Sequence, residues 1–535
     1  MKIVHNEDAF RKAIASNPHL LEYVNKVREK LGRPDYVLVL TREMADLPKF
    51  NIIYPVGEGV FIHIYKAHEG GDTKYVVVEP YLKEEEKKLY KELYERVLLD
   101  AYYSEPPSSR KELVNAIIRL IDENVYIGRK NLLLDFLGKI RLDEHKYSKL
   151  KYMFIRDLVR LNGIEGLMRD PYIEDISCVG TNYIFVVHKV FGNLETNIRF
   201  KSEEELDKFL FRTSEIIERT VSEAHPIVDG ILPDGSRVNI IYGTDVSRRG
   251  SSFTIRKFEA VPMSMTQLVK LNTFSPEEAA YLWLCIENGM NVFFCGETAS
   301  GKTTSLRAAT VFIRPQSKVF SVEDTPELVV PHENWQQTVT KEGVVDMYEL
   351  LLAALRSRPD YLIVGEIRGA EGYVAFQAMQ TGSSVMCTFH SSSLTRLVQR
   401  FTGKPINVPL PFLDNLNVVV FQQTLRRKGK MERRVLEIDE IEGYSRETGH
   451  LITRRVFEWD PVSDTHRFRG LNNSYILEEK VAKIMNMKER GEVYEELETR
   501  ANLIKEFVAN EVFNYYDLWE KIKKYHLLGL MEVWR

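Results

Sequence analysis

The stretch Gly296-Glu-Thr-Ala-Ser-Gly-Lys-Thr303 follows the apolar run Asn291-Val-Phe-Phe-Cys295 and precedes a segment that can begin a helix. Glycines in such a loop allow successive backbone N–H groups to converge on phosphate oxygens. Lys302 would add a positive charge near the β- and γ-phosphates, and the Thr303 hydroxyl is suited to coordinate Mg²⁺. A helix beginning there directs the positive end of its dipole at the same anion. The pattern therefore predicts a strand, a phosphate-binding loop and a helix.

We expect the loop and the residue after it to hold the nucleotide. An ordinary glycine-rich turn is the alternative, and the order of strand, loop and helix argues against it. The expected nucleotide-binding residues are Gly296, Glu297, Thr298, Ala299, Ser300, Gly301, Lys302, Thr303 and Thr304.

Length and composition narrow the class of protein. A chain of 535 residues exceeds what one hydrophobic core normally organises, so we expect two large domains with a smaller terminal appendage. The net charge of −4 gives no electrostatic reason to expect a nucleic acid partner. The cysteines form no C-x-x-C pair, which argues against a zinc knuckle or a disulfide framework and fits a reducing cytoplasm. They are Cys178, Cys285, Cys295 and Cys387.

The hydropathy pattern contains no candidate for a membrane-spanning segment. No apolar run approaches the roughly 18 to 20 residues that cross a bilayer. The N-terminus, Met1-Lys-Ile-Val-His-Asn, lacks the features of a secretory signal. Any membrane role is therefore expected to be peripheral.

The first half of the chain mixes helical and β-like patterns. Residues 1 to about 30 have apolar positions at helical spacing, and β-like runs follow at 35–40, 60–65 and 75–79. Helical patterns continue from 84 to about 167, interrupted by Ser104-Glu-Pro-Pro-Ser-Ser109, which we interpret as an exposed connection. A second β-rich segment begins at Ile173.

The chain passes Pro262 into a region where short apolar runs alternate with helical patterns. This alternation predicts a mostly parallel sheet wrapped by helices. The runs are 292–295, 319–322, 361–364 and 385–388. Beyond Gln423 a basic turn, Arg426-Arg-Lys-Gly-Lys430, leads into hairpin-like strands and then helices.

Acidic residues follow two of these predicted strands. Glu366 follows the run Tyr361-Leu-Ile-Val364, at the sheet edge where α/β proteins bind ligands. It is placed to polarise the attacking water of a phosphoryl transfer. Glu323, Asp324 and the nearby Glu327 are suited to hold Mg²⁺ or its waters. Helix capping is the alternative for Asp324 and Glu327.

Four motifs, in order, resemble those of the secretion-type ATPases that drive type II secretion, type IV pili and the archaeal flagellum, or archaellum. The resemblance covers residues 170 to 425. Residues 296–303 correspond to the Walker A loop and Ser321-Val-Glu-Asp-Thr-Pro-Glu327 to the Asp box. Val364-Gly-Glu-Ile-Arg368 corresponds to the Walker B strand and Thr381-Gly-Ser-Ser-Val-Met-Cys-Thr-Phe-His390 to the His box.

The resemblance implies an α/β fold in which a RecA-like P-loop NTPase domain is preceded by a separate α+β N-terminal domain and followed by a small C-terminal appendage. The implied divisions are an accessory region at 1–169, a PAS-like N-domain at 170–258 that contacts nucleotide, the ATPase domain at 259–425 and the appendage at 426–535. The resemblance also implies ATP and Mg²⁺ as cofactors, with Thr303, Glu323 and Asp324 as the residues that bind the metal or its waters.

The same resemblance implies a ring of six subunits that hydrolyses ATP. The resemblance implies catalytic roles for five residues: Glu366, Lys302, His390, Arg237 and Arg256. The last two are the N-domain arginines, which would approach the nucleotide. The implied partners are a polytopic membrane platform protein and other cytoplasmic components of a filament machine, and the implied location is the inner face of the cell membrane. No nucleic acid is expected.

The His box departs from the family pattern. The family has Thr-Gly-His where this chain has Thr381-Gly-Ser383, so His390 is the only histidine left in the motif. A serine hydroxyl donates and accepts hydrogen bonds but carries no charge. Ser383 therefore cannot supply the charge that the first histidine brings to nucleotide sensing or to an intersubunit contact in the family. A plain packed histidine is the alternative for His390.

Two features of the sequence distinguish between branches of the secretion-type ATPases. The chain lacks the four-cysteine zinc insertion of the bacterial type II enzymes, and segments such as Val330-Pro-His-Glu-Asn-Trp335 and Asn51-Ile-Ile-Tyr-Pro-Val-Gly57 resemble the archaeal branch. Within the archaeal branch, the chain most resembles the archaellum motor ATPase, and it resembles an archaeal pilus or secretion ATPase almost as well. A DNA-translocating ATPase and a nucleotide-regulated scaffold with slow hydrolysis are the further alternatives.

Overall fold

The computed structural model describes residues 5–102, 107, 109–258, 261–341, 343–427, 430–529 and 533–534. The chain divides into two compact units, Met1–Phe258 and Glu259–Arg535. The predicted connection at 104–109 and the basic turn at 426–430 lie partly outside the described residues. Within those residues, no helix has the length and apolar character needed to span a bilayer.

The first unit mixes helices and short strands. Its helices are α1 (Glu7–Ser16), α2 (Pro18–Leu31), α3 (Glu84–Tyr102), α4 (Arg110–Asn124), α5 (Leu132–Phe136), α6 (Glu144–Leu158), α7 (Glu165–Arg169) and α8 (Glu203–Ile216), with 3-10 turns at Arg42–Asp46 and Asn162–Ile164. Its strands are β1 (Asp35–Tyr36), β2 (Phe50–Gly57), β3 (Val60–Lys66), β4 (Lys74–Val78), β5 (Val125–Ile127), β6 (Ile140–Leu142), β7 (Ile173–Val179), β8 (Tyr183–His188), β9 (Gly192–Arg199), β10 (Ile227–Ile231), β11 (Arg237–Ile241) and β12 (Ser252–Arg256).

One ten-stranded sheet runs through the first unit in the order β1-β2-β3-β4-β9-β8-β7-β12-β11-β10. The β4–β9 pair is parallel, with Lys74 opposite Glu195 and Tyr75 opposite Thr196. The predicted division at residue 169 therefore falls inside a continuous sheet. Of the predicted β-like runs, 35–40 forms a strand only over Asp35–Tyr36, and β2 had not been identified as a strand.

The second unit begins with two helices and then alternates strands and helices. Its helices are α9 (Met265–Lys270), α10 (Pro276–Glu287), α11 (Lys302–Ala309), α12 (Met347–Ser357), α13 (Glu371–Gln380), α14 (Leu394–Thr402), α15 (Ala482–Ile484), α16 (Glu492–Ala509) and α17 (Tyr515–Leu528), with 3-10 turns at Thr310–Phe312 and Leu410–Asn415 and a π-helix at Ile476–Val481. Its strands are β13 (Val292–Gly296), β14 (Val319–Glu323), β15 (Trp335–Val339), β16 (Tyr361–Val364), β17 (Ser384–Phe389), β18 (Val418–Arg427), β19 (Lys430–Ser445), β20 (His450–Asp460) and β21 (Thr465–Phe468).

The second sheet has nine strands in the order β15-β14-β16-β17-β13-β18-β19-β20-β21. The strands from β15 to β18 are parallel, and every residue of β13, β14, β16 and β17 is buried, as expected for strands covered on both faces. The predicted α/β class, with a helix-covered parallel sheet and a separate α+β N-terminal unit, is confirmed. The predicted division at 425 falls inside β18, which pairs with β19, so the hairpins extend the same sheet.

Local sequence signals explain where the helices of this unit begin. At α10 the Ser275 hydroxyl accepts the Glu278 N–H and the Glu278 carboxylate accepts the Ser275 N–H, with Pro276 in the first turn. This reciprocal pair satisfies two backbone donors that the helix itself leaves free. Asp346 and Glu349 form the same arrangement at α12.

A buried carboxylate ties the two halves of the first sheet together. Asp170 is fully buried between α7 and β7, and its Oδ2 accepts hydrogen bonds from the hydroxyls of Tyr54 and Tyr75, each at 2.7 Å. The other oxygen accepts the Tyr172 N–H at 2.9 Å. Since Tyr54 lies on β2 and Tyr75 on β4, the carboxylate joins the accessory strands to β7.

Replacing this carboxylate should destabilise the first unit strongly. Asp170→Ala leaves the buried Tyr75 hydroxyl without its acceptor and leaves the Tyr54 hydroxyl with only His188 Nε2, 3.3 Å away, so we expect a loss of about 3 kcal/mol in the free energy of unfolding. Tyr54→Phe removes one hydroxyl and keeps the remaining contacts, so its expected loss is about 1 kcal/mol. Chemical denaturation of the full chain measures both values. Equal losses for the two variants would contradict the central role given to Asp170.

Candidate functional site

The predicted site residues of the second unit gather at one edge of its sheet. Strands β13, β14, β16 and β17 are parallel and end at Gly296, Glu323, Val364 and Phe389, so their carboxyl ends meet there. The phosphate loop (residues 296–303), the acids after β14, Glu366 and His390 therefore lie at the same edge. Open α/β sheets bind their ligands at this edge.

The phosphate loop has a backbone that requires glycine at two positions. Gly301 has a φ of +94°, and a Cβ there would lie 2.7 Å from the Gln422 side-chain nitrogen. A Cβ on Gly296 would lie 2.1 Å from the Gln422 carbonyl oxygen. Helix α11 begins directly after Gly301, and no side chain caps its first turn. Its backbone N–H groups are therefore free to bind an anion.

Lys302 is buried at the start of α11. Its ammonium donates to the Glu297 carbonyl at 2.9 Å, which holds it across the loop, and lies 3.4 Å from His390 Nδ1. Burial lowers the pKa of Lys302, and the nearby Glu366 carboxylate opposes that shift. A phosphate bound in the loop would replace the water that this cation has lost.

Glu366 lies between a histidine and an arginine. Its Oε1 lies 2.9 Å from His390 Nε2, without the alignment of a hydrogen bond, and its Oε2 accepts Arg368 Nε at 2.9 Å. Burial, followed by the positive charge of Lys302, lowers the pKa of His390 below its ordinary 6.5. The lowered pKa favours the neutral imidazole beside this carboxylate, whose Oε1 has no hydrogen-bond partner among the described residues.

The acids after β14 differ in their surroundings. Glu323 is buried, and its carboxylate accepts the N–H groups of Glu327 and Leu328, each at 2.7 Å, and the Gln337 amide at 3.0 Å. Burial raises its pKa. Asp324 is exposed, with Arg368 3.7 Å from its carboxylate. Glu323 thus fixes the shape of the loop that follows it, and of the two acids predicted to bind the metal, Asp324 has fewer contacts.

Two buried polar atoms at this edge have no hydrogen-bond partner within the described part of the chain. They are Ser300 Oγ in the phosphate loop and Glu366 Oε1 at the end of the Walker B strand. A buried polar group without a partner costs free energy, so its partner is commonly a water or a ligand. The free atoms, the uncapped helix and Lys302 together fit a nucleotide phosphate with its Mg²⁺.

Sequence reasoning missed the residues that hold the phosphate loop from behind. The Gln422 amide donates to the Ser300 carbonyl at 2.7 Å and accepts from the Ser305 hydroxyl at 2.7 Å. The Thr424 hydroxyl and Arg433 Nε both donate to the Ala299 carbonyl, at 2.9 and 3.1 Å. Two glutamines directly after the apolar run Val418–Phe421 were the available signal.

Ser383 and His390 lie at opposite ends of β17. The Ser383 hydroxyl donates to the Pro359 carbonyl at 2.8 Å, at the amino edge of the sheet, whereas His390 follows the carboxyl end. At about 3.3 Å per residue, the six residues of β17 separate them by about 20 Å. Within one chain, the residue that departs from the family pattern is remote from the phosphate loop.

The two predicted N-domain arginines lie together in the first unit. Arg237 and Arg256 are directly opposite each other on β11 and β12, and both are exposed. Like charges directly opposite destabilise a sheet. Asp175 faces Arg256 from β7, and Asp229 lies 3.6 Å from Arg237. Each arginine of the pair is therefore accompanied by one aspartate, and both arginines remain exposed at one end of these strands.

Comparisons with known proteins show which family the chain resembles. Residues 159–506 match the family described as "Type II/IV secretion system protein". An uncharacterized protein of Methanocaldococcus jannaschii is 48% identical over 547 residues, covering 99% of each chain. The conjugal transfer protein TrbB of Rhizobium radiobacter is 29% identical over 235 residues, which cover 43% of this chain and 72% of TrbB.

Among solved structures, the chain is similar to the Legionella pneumophila ATPase DotB. The identity is 18%, the alignment covers 67% of this chain and 93% of DotB, and the TM-score is 0.40. The predicted resemblance to the secretion-type ATPases is confirmed by the family match of residues 159–506, which covers well over half of the chain.

Removing the support behind the loop should weaken nucleotide binding. Gln422→Leu keeps the volume of the side chain but leaves the Ser300 carbonyl and the Ser305 hydroxyl without their partner, so the loop loses its fixed shape. We expect the dissociation constant of a non-hydrolysable ATP analogue, measured by calorimetry, to rise about tenfold.

Gln423→Leu on the same strand is the matched control, because the Gln423 side chain makes no hydrogen bond to the loop among the described residues. Its affinity should equal that of the unaltered protein. Equal weakening by both substitutions would show that the strand, rather than Gln422, is responsible. Thermal unfolding of both variants reports whether the fold is intact.

Proposed function

The chain belongs to the Type II/IV secretion system protein family, and we propose that it is a Mg²⁺-dependent ATPase acting as a ring-shaped motor for an extracellular filament. The observation that carries this proposal is the uncapped start of α11 beside the buried Lys302, at the same sheet edge as Glu366. That arrangement supplies a phosphate cradle and a carboxylate to orient the attacking water.

The chain's own residues account for nucleotide binding. Backbone N–H groups of residues 296–304 surround the phosphates, and Lys302 neutralises the β- and γ-phosphate charge. The Thr303 hydroxyl, at the second position of α11, and the exposed Asp324 would hold Mg²⁺ or its waters. Glu323 keeps the loop that carries Asp324 in place through its three N–H donors. Bound Mg²⁺ supplies charge neutralisation on the transferring phosphate.

The hydrolytic step falls to Glu366. Phosphoryl transfer depends on positioning and on charge stabilisation more than on covalent chemistry. Arg368 orients the carboxylate through Oε2, so Oε1 faces the neutral His390 and is free to hold a water. His390 also approaches Lys302, so it is placed to respond to whether a phosphate occupies the loop.

Arg237 and Arg256 complete the proposed catalytic set. In related NTPases an arginine that reaches the transferred phosphate raises turnover by orders of magnitude. The cross-strand pair in the first unit supplies two such charges, and their mutual repulsion is relieved when an anion binds between them. We propose that the chain works as a hexamer.

The filament machine is the proposed partner. We assign the chain to an archaeal type IV pilus-like filament, of which the archaellum is the leading candidate, with a polytopic membrane platform protein and other cytoplasmic components. The chain would act in the cytoplasm, peripherally at the inner face of the membrane. Assembly of an archaeal pilus or a type II-like secretion apparatus is the second candidate. A deletion strain scored separately for swimming, adhesion and export distinguishes them.

DNA translocation is less well supported. TrbB, a conjugal transfer protein, is similar to less than half of this chain. The net charge of −4 gives no general attraction for DNA. Steeply salt-dependent binding of the purified protein to duplex DNA would overturn this ranking.

Two substitutions separate binding from chemistry. Lys302→Ala removes the phosphate-neutralising charge and should abolish ATP binding, whereas Glu366→Gln should bind ATP and turn over about a hundredfold more slowly or worse. Phosphate release in the presence of Mg²⁺ measures turnover, and removal of Mg²⁺ by a chelator should stop it. Glu498→Gln, on the exposed face of α16, is the control. Normal turnover by Glu366→Gln would disprove the role of Glu366.

The arginine pair has its own test. Arg256→Ala should keep the affinity for a non-hydrolysable ATP analogue within a few-fold and lower the turnover number about a hundredfold or more, because the charge acts on the transition state. Arg248→Ala in the same unit is the control, since Arg248 is an exposed arginine outside the pair. Equal turnover by the two variants would remove Arg256 from the catalytic set.

A further inference from the structure

The loop between β5 and β6 presents large apolar side chains to solvent. In this β5–β6 loop (residues 128–139), the exposed fraction is 76% for Leu132, 66% for Leu133, 87% for Phe136 and 63% for Leu137. Single exposed apolar residues are ordinary, but four within six residues form a contiguous patch. Such patches mark surfaces that are covered by a partner or a membrane.

Hydrogen bonds within the β5–β6 loop fix its conformation and keep these side chains exposed to solvent. The Asn131 side chain caps α5 by accepting the N–H groups of Leu133 and Leu134, at 3.1 and 3.3 Å. The Tyr126 hydroxyl donates to Asp135 and accepts the Asn131 N–H, so the start of α5 is tied to β5. In a helical turn the four exposed positions, spaced i, i+1, i+4 and i+5, share one face.

Basic residues flank the apolar face on both sides. Arg129 and Lys130 precede α5, Lys139 and Arg141 follow it, and Asp135 is the only acid from 128 to 141, which gives the segment four positive charges, one negative charge and a net charge of +3. The four cations form no ion pair within the described ranges of the chain. Their charge is therefore available to an external anion.

Helix α3, which contacts the β5–β6 loop, also carries large exposed side chains near its C-terminal end. Leu99 is 65% exposed and Tyr102 is 83% exposed. The Arg96 guanidinium, on the same helix, donates to the Gly138 carbonyl and so joins α3 to the β5–β6 loop. The apolar surface is thus supported by two neighbouring elements of the first unit.

We propose that the β5–β6 loop docks the first unit on an anionic lipid bilayer. Leu132, Leu133, Phe136 and Leu137 enter the boundary between head groups and acyl chains, and the flanking cations lie on the lipid phosphates. An apolar face bordered by unpaired lysine and arginine is the chemistry of interfacial membrane binding. A groove in a partner protein would bury the apolar face without any need for four free cations. The proposal does not rest on ATP hydrolysis.

Sedimentation with lipid vesicles tests the proposal on the full chain. We expect the protein to sediment with vesicles of phosphatidylglycerol and phosphatidylcholine in equal parts, to stay in solution with phosphatidylcholine alone, and to be released by high salt. The double substitution Phe136→Ser, Leu137→Ser should lower vesicle partitioning at least about tenfold. Lys130→Glu with Lys139→Glu should lower it to a similar degree at low salt.

Matched controls change equally exposed side chains elsewhere. Val462→Ser removes an apolar side chain that is 91% exposed, and Lys26→Glu reverses the charge of an exposed lysine on α2. Both should partition as the unaltered protein does. The loop variants should keep the same thermal unfolding and the same ATP turnover without vesicles, so a failure here is separable from a failure of the proposed function.

Three results would overturn the assignment. One is failure of the unaltered protein to bind the anionic vesicles. Another is vesicle binding by the loop variants that equals that of the controls. The third is a change in the sedimentation coefficient of the lipid-free protein when Phe136 and Leu137 are replaced, because the surface would then be a contact between protein chains.

Discussion

The pairing of β18 with β13 is the constraint on which the nucleotide site depends. β18 places Gln422 behind the phosphate loop, where one side-chain amide holds both the Ser300 carbonyl and the Ser305 hydroxyl. Because the Gln422 carbonyl would collide with any Cβ on Gly296, strand and loop can approach only if that position is glycine. β18 then continues into the antiparallel hairpins, whose Arg433 reaches the Ala299 carbonyl. The hairpins therefore support the shape of the site from outside the parallel sheet.

Electrostatics at this edge follow from burial. Lys302 is held away from solvent with a lowered pKa, and a neutral His390 lies between it and Glu366. Because the Lys302 ammonium is already desolvated in the folded protein, an anionic ligand can bind it without a further desolvation cost for the lysine. Arg368 satisfies one oxygen of Glu366 and leaves the other free. The site is thus organised before nucleotide arrives.

The sequence predicted what local patterns encode and missed what depends on distant contacts. The apolar runs 292–295, 319–322 and 361–364 predicted the parallel sheet, because fully buried strands have continuous apolar sequences. Gln422 was missed because its partners are more than a hundred residues away in sequence. The pairing of β4 with β9 was missed for the same reason. The contacts of Glu323 could not be predicted, since they depend on how the following loop folds back.

The position of Ser383 bears on whether this chain hydrolyses ATP. The scaffold alternative took its support from the loss of a histidine there, which would matter most if the residue touched the phosphates. Ser383 instead bonds the Pro359 carbonyl at the amino edge, joining the starts of β16 and β17. The residues that face the loop, His390 and Glu366, are both present at the carboxyl edge. Within one chain the substitution therefore leaves the proposed hydrolytic groups in place, and an effect on them would have to act through the sheet or, in the proposed hexamer, through a neighbouring subunit.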